Sequence, residues 1–229
     1  MATLFLRRRE PNLLEKMEDP NCDEAKLFNT YRQFVYINRA IAGWRRVYKK
    51  WLRPRLLDGP STLLDIGCGG GDLVSMISKW AQADGLQLSI TAIEPDSRAI
   101  KYLHTRTLPE NISFRQAVSS DLVAEGRNFD VVISNHLIHH LSDGEMNGLL
   151  DDSTILASKL VLHNDIRRDD FAYIGFAPTK LMFRNSFITE DGLTSIRRSY
   201  LPTELRQVIP PGWRVIPMAL FRNLLVWEP

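Results

Sequence analysis

The sequence predicts an α/β fold built on a mostly parallel seven-stranded sheet, with helices on both faces and a helical cap ahead of it. Three observations carry that prediction. An apolar strand, Leu63-Leu64-Asp65-Ile66, runs into a glycine loop, Gly67-Cys68-Gly69-Gly70-Gly71, that opens a helix. A second apolar run from Leu88 to Ile93 ends on an acid, Glu94, and is followed by Pro95 and by Asp96 as a helix cap. Beyond them, apolar runs of strand length keep alternating with helical periods, as the βα units of a parallel sheet require.

The elements follow in order. From Asp23 to about Leu52 the apolar residues Leu27, Tyr31, Phe34, Ile41, Trp44, Tyr48 and Trp51 recur at steps of three, four or seven. That period predicts an amphipathic helix or a broken pair of helices. Pro54, Gly59 and Pro60 then punctuate the chain. Strands are predicted near 62–67, 87–94, 112–117, 129–134 and 159–165, and helices near 71–83, 97–106 and 143–157. The last of these helices opens on Ser142-Asp143-Gly144-Glu145, a capping box. Residues 167–200 are too many for an ordinary connection, so they are expected to hold structure of their own. Phe171, Ile174, Phe176, Leu181, Met182 and Phe183 make that stretch either extra core or a lid over an apolar acceptor. Trp213 to Met218 and Leu220 to Trp227 read as two closing strands. The expected organisation is a helical cap over 1–58 and a ligand-binding domain over 59–229, with 166–200 as a lid or pocket insertion.

The glycine loop points to a nucleoside cofactor. Backbone that turns tightly and touches a ligand cannot carry a Cβ, which accounts for Gly67, Gly69 and Gly71. Asp65 stands where the carboxyl end of a central strand meets a bound nucleotide, and Glu94 where a carboxylate can accept from both ribose hydroxyls. A dinucleotide fingerprint would need glycine at position 72. Asp72 stands there instead, and its charge opposes a pyrophosphate on that helix end.

These motifs, with the Phe129-Asp130-Val131-Val132 strand, resemble the class I S-adenosylmethionine-dependent methyltransferases, especially the small-molecule group that includes quinone-biosynthesis enzymes. The resemblance runs from about Ser61 to Asp165 and implies a Rossmann-like fold with S-adenosyl-L-methionine as cofactor. It implies that Asp65, Gly67, Cys68, Gly69 and Gly71 face the cofactor's methionine part, that Glu94 and Pro95 border the ribose, and that Asn135 lies close by. Val118 falls where the family often carries an acid for the adenine amino group. Adenine contact is therefore expected from backbone near Ala117, Val118 and Ser119, or from Asp121. The segment Asn38-Arg39-Ala40-Ile41-Ala42-Gly43 is similar to the leading helix of bacterial methyltransferases found with polyketide genes, and Ser195 to Leu205 to a later element of that group.

Composition agrees. With 229 residues and 44% hydrophobic content the chain can bury a large core. Net charge is only +2, which offers no global case for nucleic-acid binding. Residues 1–55 nonetheless carry thirteen Lys or Arg against six Asp or Glu, a solvated basic face or an attractor of acidic substrates. Cys22 and Cys68 are too few for a disulfide scaffold or a zinc site, so no metal is expected, and a cytoplasmic location is. No apolar run approaches the roughly 20 residues that span a bilayer.

Chemistry in such a fold rests mostly with the cofactor, and the protein aligns an acceptor and excludes water. His136, His139 and His140, between the fourth strand and the helix capped by Ser142, are the candidate catalytic bases. Asn38, Arg39, His163 and Asp165 are the candidate acceptor-binding residues. The expected activity is methylation of a phenolic, quinone-like or polyketide small molecule at oxygen or carbon, in a monomer or a homodimer. Two alternatives stay open: an accessory protein that binds the cofactor without catalysis, and a nicotinamide-dependent oxidoreductase.

Overall fold

The computed structural model describes residues 4–229. Seven strands form one sheet: β1 (Ser61–Ile66), β2 (Leu88–Ile93), β3 (Ile112–Arg115), β4 (Phe129–Asn135), β5 (Ala157–Ile166), β6 (Arg214–Met218) and β7 (Arg222–Trp227). Their order is β3-β2-β1-β4-β5-β7-β6. Only β7 runs against the others, pairing antiparallel with both β5 and β6. The sheet is buried on both faces because neighbouring strand residues are both apolar and point opposite ways. Leu63, Val131, Leu160 and Leu224 enter one core, and Leu64, Val132, Val161 and Leu225 the other.

Among the described residues ten α-helices cover the sheet or precede it: α1 (Glu24–Ala40), α2 (Trp44–Val47), α3 (Arg53–Arg55), α4 (Asp72–Ala83), α5 (Ser97–His104), α6 (Ser119–Ala124), α7 (Asp143–Leu156), α8 (Asp170–Phe176), α9 (Ile188–Arg198) and α10 (Pro202–Val208). The leading helical period is a broken pair. Its break falls at Gly43, whose φ of 72° ends α1 and starts α2. The long stretch after β5 holds α8, a 3₁₀ turn at Ala177–Leu181, and α9. Two expectations need correction. α6 is absent from the sequence reading because six residues give too little period to detect. The second closing strand starts at Arg222 and not Leu220, since Leu220 and Phe221 form a left-handed turn with φ of 57° and 58°. Among the described residues no helix is long and apolar enough to cross a membrane.

The parallel strands β1 and β4 send their connections to opposite faces, which opens a crevice at their carboxyl ends. Gly71 sits at that crevice with φ of 69°, and a Cβ there would lie 2.8 Å from Leu103 Cδ2. Gly71→Ala is expected to cost about 1–2 kcal/mol for the left-handed backbone alone. Thermal unfolding should show a Tm lowered by roughly 2–8 °C.

Candidate active site

Three acids converge on the glycine loop. Asp65 ends β1, Glu94 follows β2, and Asp72 is the first residue of α4; all three are buried. Glu94 accepts hydrogen bonds from the backbone N–H of Gly69 at 2.8 Å and of Asp96 at 3.0 Å. Asp72 accepts from Asn38 Nδ2 at 2.8 Å. Asp65 Oδ1 has no partner, and none of the three forms an ion pair among the described residues. Burial pushes every one of them above the usual carboxylate range, and for Asp65 the charges of Asp72 and Glu94 add to the shift. The loop is therefore a pocket of negative potential, tempered on one side by Arg106, whose guanidinium donates to Gly70 O and whose charge acts on Asp72. Cys68 is buried beside these acids, and its thiol is pushed up by burial, then by Asp65 and Glu94, which suits a small loop residue and not a nucleophile.

A second cluster stands beyond the end of β4. His136 adopts φ of 57° and donates its N–H to Asn164 O at 3.0 Å. Its Nδ1 faces the buried guanidinium of Arg222 at 3.5 Å, and its Nε2 is closed off from solvent without a partner. Arginine can only donate, so Nδ1 accepts and Nε2 carries the hydrogen. Burial and Arg222 together hold His136 neutral, well below the usual histidine range. This tautomer makes His136, a residue of the cavity lining, a neutral donor at Nε2, where the sequence led to the expectation of a base.

His139 and His140 are built differently. Asp165, at the end of β5, accepts from the His139 backbone N–H and pairs with its Nδ1, both at 2.7 Å. Burial alone would lower the His139 pKa; Asp165 and Glu15 outweigh it and push it up to about 9. His140 Nδ1 lies 2.7 Å from Glu18 Oε1. Glu18 is held in turn by Arg198 of α9 at 2.6 and 2.7 Å, and Glu15 by Ser195 of α9, whose hydroxyl donates to Oε1 at 2.6 Å.

Both clusters open on one cavity of about 810 Å³. Its walls are Tyr31, Phe34 and Ile37 of α1, Phe171 and Phe176 of α8, Phe183, and Phe221 of the left-handed turn before β7. α1 is tied to the stretch beyond β5 by Asn29 Nδ2, which donates to Asn185 O at 2.9 Å, and by the Phe187 N–H on Thr30 Oγ1 at 2.8 Å. It is tied to the crevice by Asn38, which bonds both Asp72 and Asn135. Asn135 also receives Trp44 Nε1 at 2.8 Å and Arg222 at 3.2 Å.

Of the residues singled out from sequence, Gly67, Cys68, Gly69, Glu94, Pro95, Asn135, His136, His139, His140 and Asn38 line this cavity. Asp65 and Gly71 stand behind its lining, and Asp165 reaches it only through His139. Five residues lie elsewhere. Arg39 is exposed, because the helical turn that brings Asn38 inward carries its neighbour outward. Val118 is exposed and Ser119 is occupied by Asp152 at 2.6 Å, while Asp121 caps α6 through the Val118 N–H. His163 is fully buried, with Nδ1 2.7 Å from Ser134 Oγ and its ring stacked on Trp213. Glu15, Glu18 and Arg222 escaped the sequence reading, and Tyr31 entered it only through the period of the leading helix. Only charge marks the first three there, and each of the four meets the site across a long sequence separation.

Residues 63–154 match a family model described as a methyltransferase domain. Among curated proteins, the ubiquinone biosynthesis O-methyltransferase of Caulobacter vibrioides is 38% identical over 85 residues, which covers 36% of this chain and 31% of that protein. The match thus spans about a third of that relative's length. Among solved structures, human N-acetylserotonin methyltransferase in complex with SAM superposes with a TM-score of 0.63 at 13% identity, over 90% of this chain and 56% of that one. The plantazolicin methyltransferase BpumL in complex with SAH gives 0.56 at 12% identity, over 90% and 95%. At those identities the structural likeness speaks for the fold.

Proposed function

We propose, from the premise that the chain carries a class I methyltransferase domain, that it binds S-adenosyl-L-methionine and methylates an oxygen of an apolar aromatic small molecule. The observation that carries this reading is the trio of buried acids Asp65, Asp72 and Glu94 around the glycine loop, none of them in an ion pair among the described residues. A ligand bearing an ammonium and a sulfonium satisfies that field, whereas the pyrophosphate of a nicotinamide dinucleotide would meet repulsion. Glu94 suits a ribose, since each of its oxygens already accepts one backbone N–H and keeps a lone pair for a hydroxyl. Gly67, Cys68 and Gly69 offer backbone to the amino-acid part of the cofactor.

When bound, that cofactor supplies an electrophilic methyl group on sulfur. The chain's own residues do the rest. The aromatic walls from α1, α8 and the Phe221 turn exclude water and hold a flat acceptor. His136, neutral and donating from Nε2, holds the acceptor oxygen and stabilises its ionised form. The acceptor proton leaves toward His140, whose Nδ1 is held by Glu18, because His139, pushed up to about 9, already carries its second proton at neutral pH. Asn38 and Asn135 join the cap to the crevice and keep the two halves of the cavity in register.

Titration calorimetry with S-adenosylmethionine, its demethylated product and NAD tests the reading. The two methionine nucleosides should bind and NAD should not, and ligand at 100 times its Kd should add about 2.7 kcal/mol to stability. Transfer of labelled methyl to a panel of phenols, hydroquinones and aromatic polyketides then tests catalysis. Absence of any shift with either nucleoside removes the proposal. Binding without transfer to any of the panel would favour an accessory role.

A further inference from the structure

Glu15, His139 and His140 meet on the cavity wall opposite the glycine loop, with one potential ligand atom from each within 4.8 Å of the others. Both imidazoles are held at Nδ1 by a carboxylate, His139 by Asp165 and His140 by Glu18, each at 2.7 Å. That holds a proton on each Nδ1 and makes Nε2 the atom each ring can offer to a metal, which displaces any proton there, the arrangement that orients metal-binding histidines. Both Nε2 atoms turn to Glu15. His139 Nε2 is 3.4 Å from Oε1 and His140 Nε2 is 3.9 Å from Oε2, too long for a strong hydrogen bond. His139 Nε2 is buried and has no hydrogen-bond partner. Ser195 fixes the Glu15 carboxylate by donating to Oε1, the oxygen nearest His139.

The spacing has a simple meaning. A tetrahedral ion with ligand bonds of about 2.0–2.2 Å keeps its donors roughly 3.4 Å apart. The His139–Glu15 separation already has that value, and the His140–Glu15 separation needs about half an ångström of closure, which a partly exposed imidazole can supply. Two imidazoles and a carboxylate select a transition cation over calcium or magnesium. The elements that supply them are remote in sequence: Glu15 precedes a 3₁₀ turn at Lys16–Glu18, and the histidines lie in another at Ile138–His140.

We propose that Glu15, His139 and His140 form a His₂-carboxylate site for a divalent transition cation, zinc foremost, with its remaining positions open to the cavity. The site's existence is independent of methyl transfer. Its role rests on the function proposed above: an ion there would bind the acceptor oxygen beside His136 and lower the pKa of its hydroxyl, so that the proton passes to solvent.

The test uses the full chain without cofactor or acceptor. Protein stripped with a chelator is dialysed against zinc and assayed for bound metal, then loaded with cobalt and examined for the visible bands of four- or five-coordinate cobalt. One equivalent and a cobalt spectrum are expected. Glu15→Gln and His140→Ala should abolish both, whereas Glu18→Gln, which loosens only the orienting carboxylate, should weaken metal binding by about 10–100-fold. Circular dichroism and S-adenosylmethionine titration of each variant establish that it folds. His140→Gln serves in place of His140→Ala if the latter unfolds. A stripped protein that takes up no metal, or variants that bind zinc as the parent does, would overturn the site and leave the methyltransferase reading untouched.

Discussion

Affinity for S-adenosylmethionine is expected to climb as pH rises from about 5 to about 7, above the ordinary carboxylate pKa near 4. Asp65, Asp72 and Glu94 hold their protons longer in the folded protein than in the unfolded chain. For an acid shifted upward, the free protein loses stability as pH passes above the unfolded pKa, because unfolding then releases protons. A cationic ligand prefers the ionised acids, so its binding also releases protons, and the ligand-induced gain in Tm should widen with pH. Calorimetry in two buffers of different ionisation enthalpy measures that release directly. Glu94→Gln should weaken binding by roughly 10- to 100-fold, the equivalent of one charge-assisted hydrogen bond of about 1.5–3 kcal/mol. Asp65→Asn should flatten the pH dependence. An affinity indifferent to pH and to both substitutions would mean that the acids do not face the cofactor.

The second large effect concerns His136. Loss of a preorganised donor to a developing oxyanion costs about 10²–10³ in rate, and His136→Ala should lower kcat by that factor with cofactor affinity preserved. The left-handed backbone at this position favours asparagine over most residues, so His136→Asn should fold better than the alanine variant and recover part of the rate. Acceptors of falling pKa separate a donor from a base. A donor matters equally for a phenol and for its phenolate, whereas a base becomes dispensable once the acceptor is ionised. A His136→Ala defect that vanishes with acidic phenols would return His136 to the role of proton acceptor.

The sheet was readable in the sequence because its strands are doubly buried. Leu63-Leu64, Val131-Val132 and Leu160-Val161 are apolar at both parities, and each run ends at a glycine, a turn or an acid. The glycine loop and Glu94 were readable for a related reason, since both sit at fixed offsets from those strands. The histidine cluster was readable only as a set of candidates. What each one does depends on Arg222, Glu18, Glu15 and Asp165, which arrive from β7, the segment before α1, and β5. His163 shows the same limit, since its position two residues before Asp165 on β5 gives no hint that Trp213 will stack on it. The turn at Leu220 and Phe221 could not be foreseen, because bulky residues with positive φ are uncommon and nothing nearby announces them.

The placement of β7 between β5 and β6 sets an order of assembly. β6 is synthesised before β7 but has no strand beside it until β7 exists, and the exposed flank of β5 waits for the same partner. A chain stopped at residue 221 would therefore present two unpaired edges, each a template for association with another chain. It would also lack Arg222, so His136 would lose the charge that fixes its tautomer. A fusion that delays or hinders the docking of residues 222–227 should yield aggregated protein, whereas chains that complete this strand gain solubility and the Arg222–His136 contact in one step.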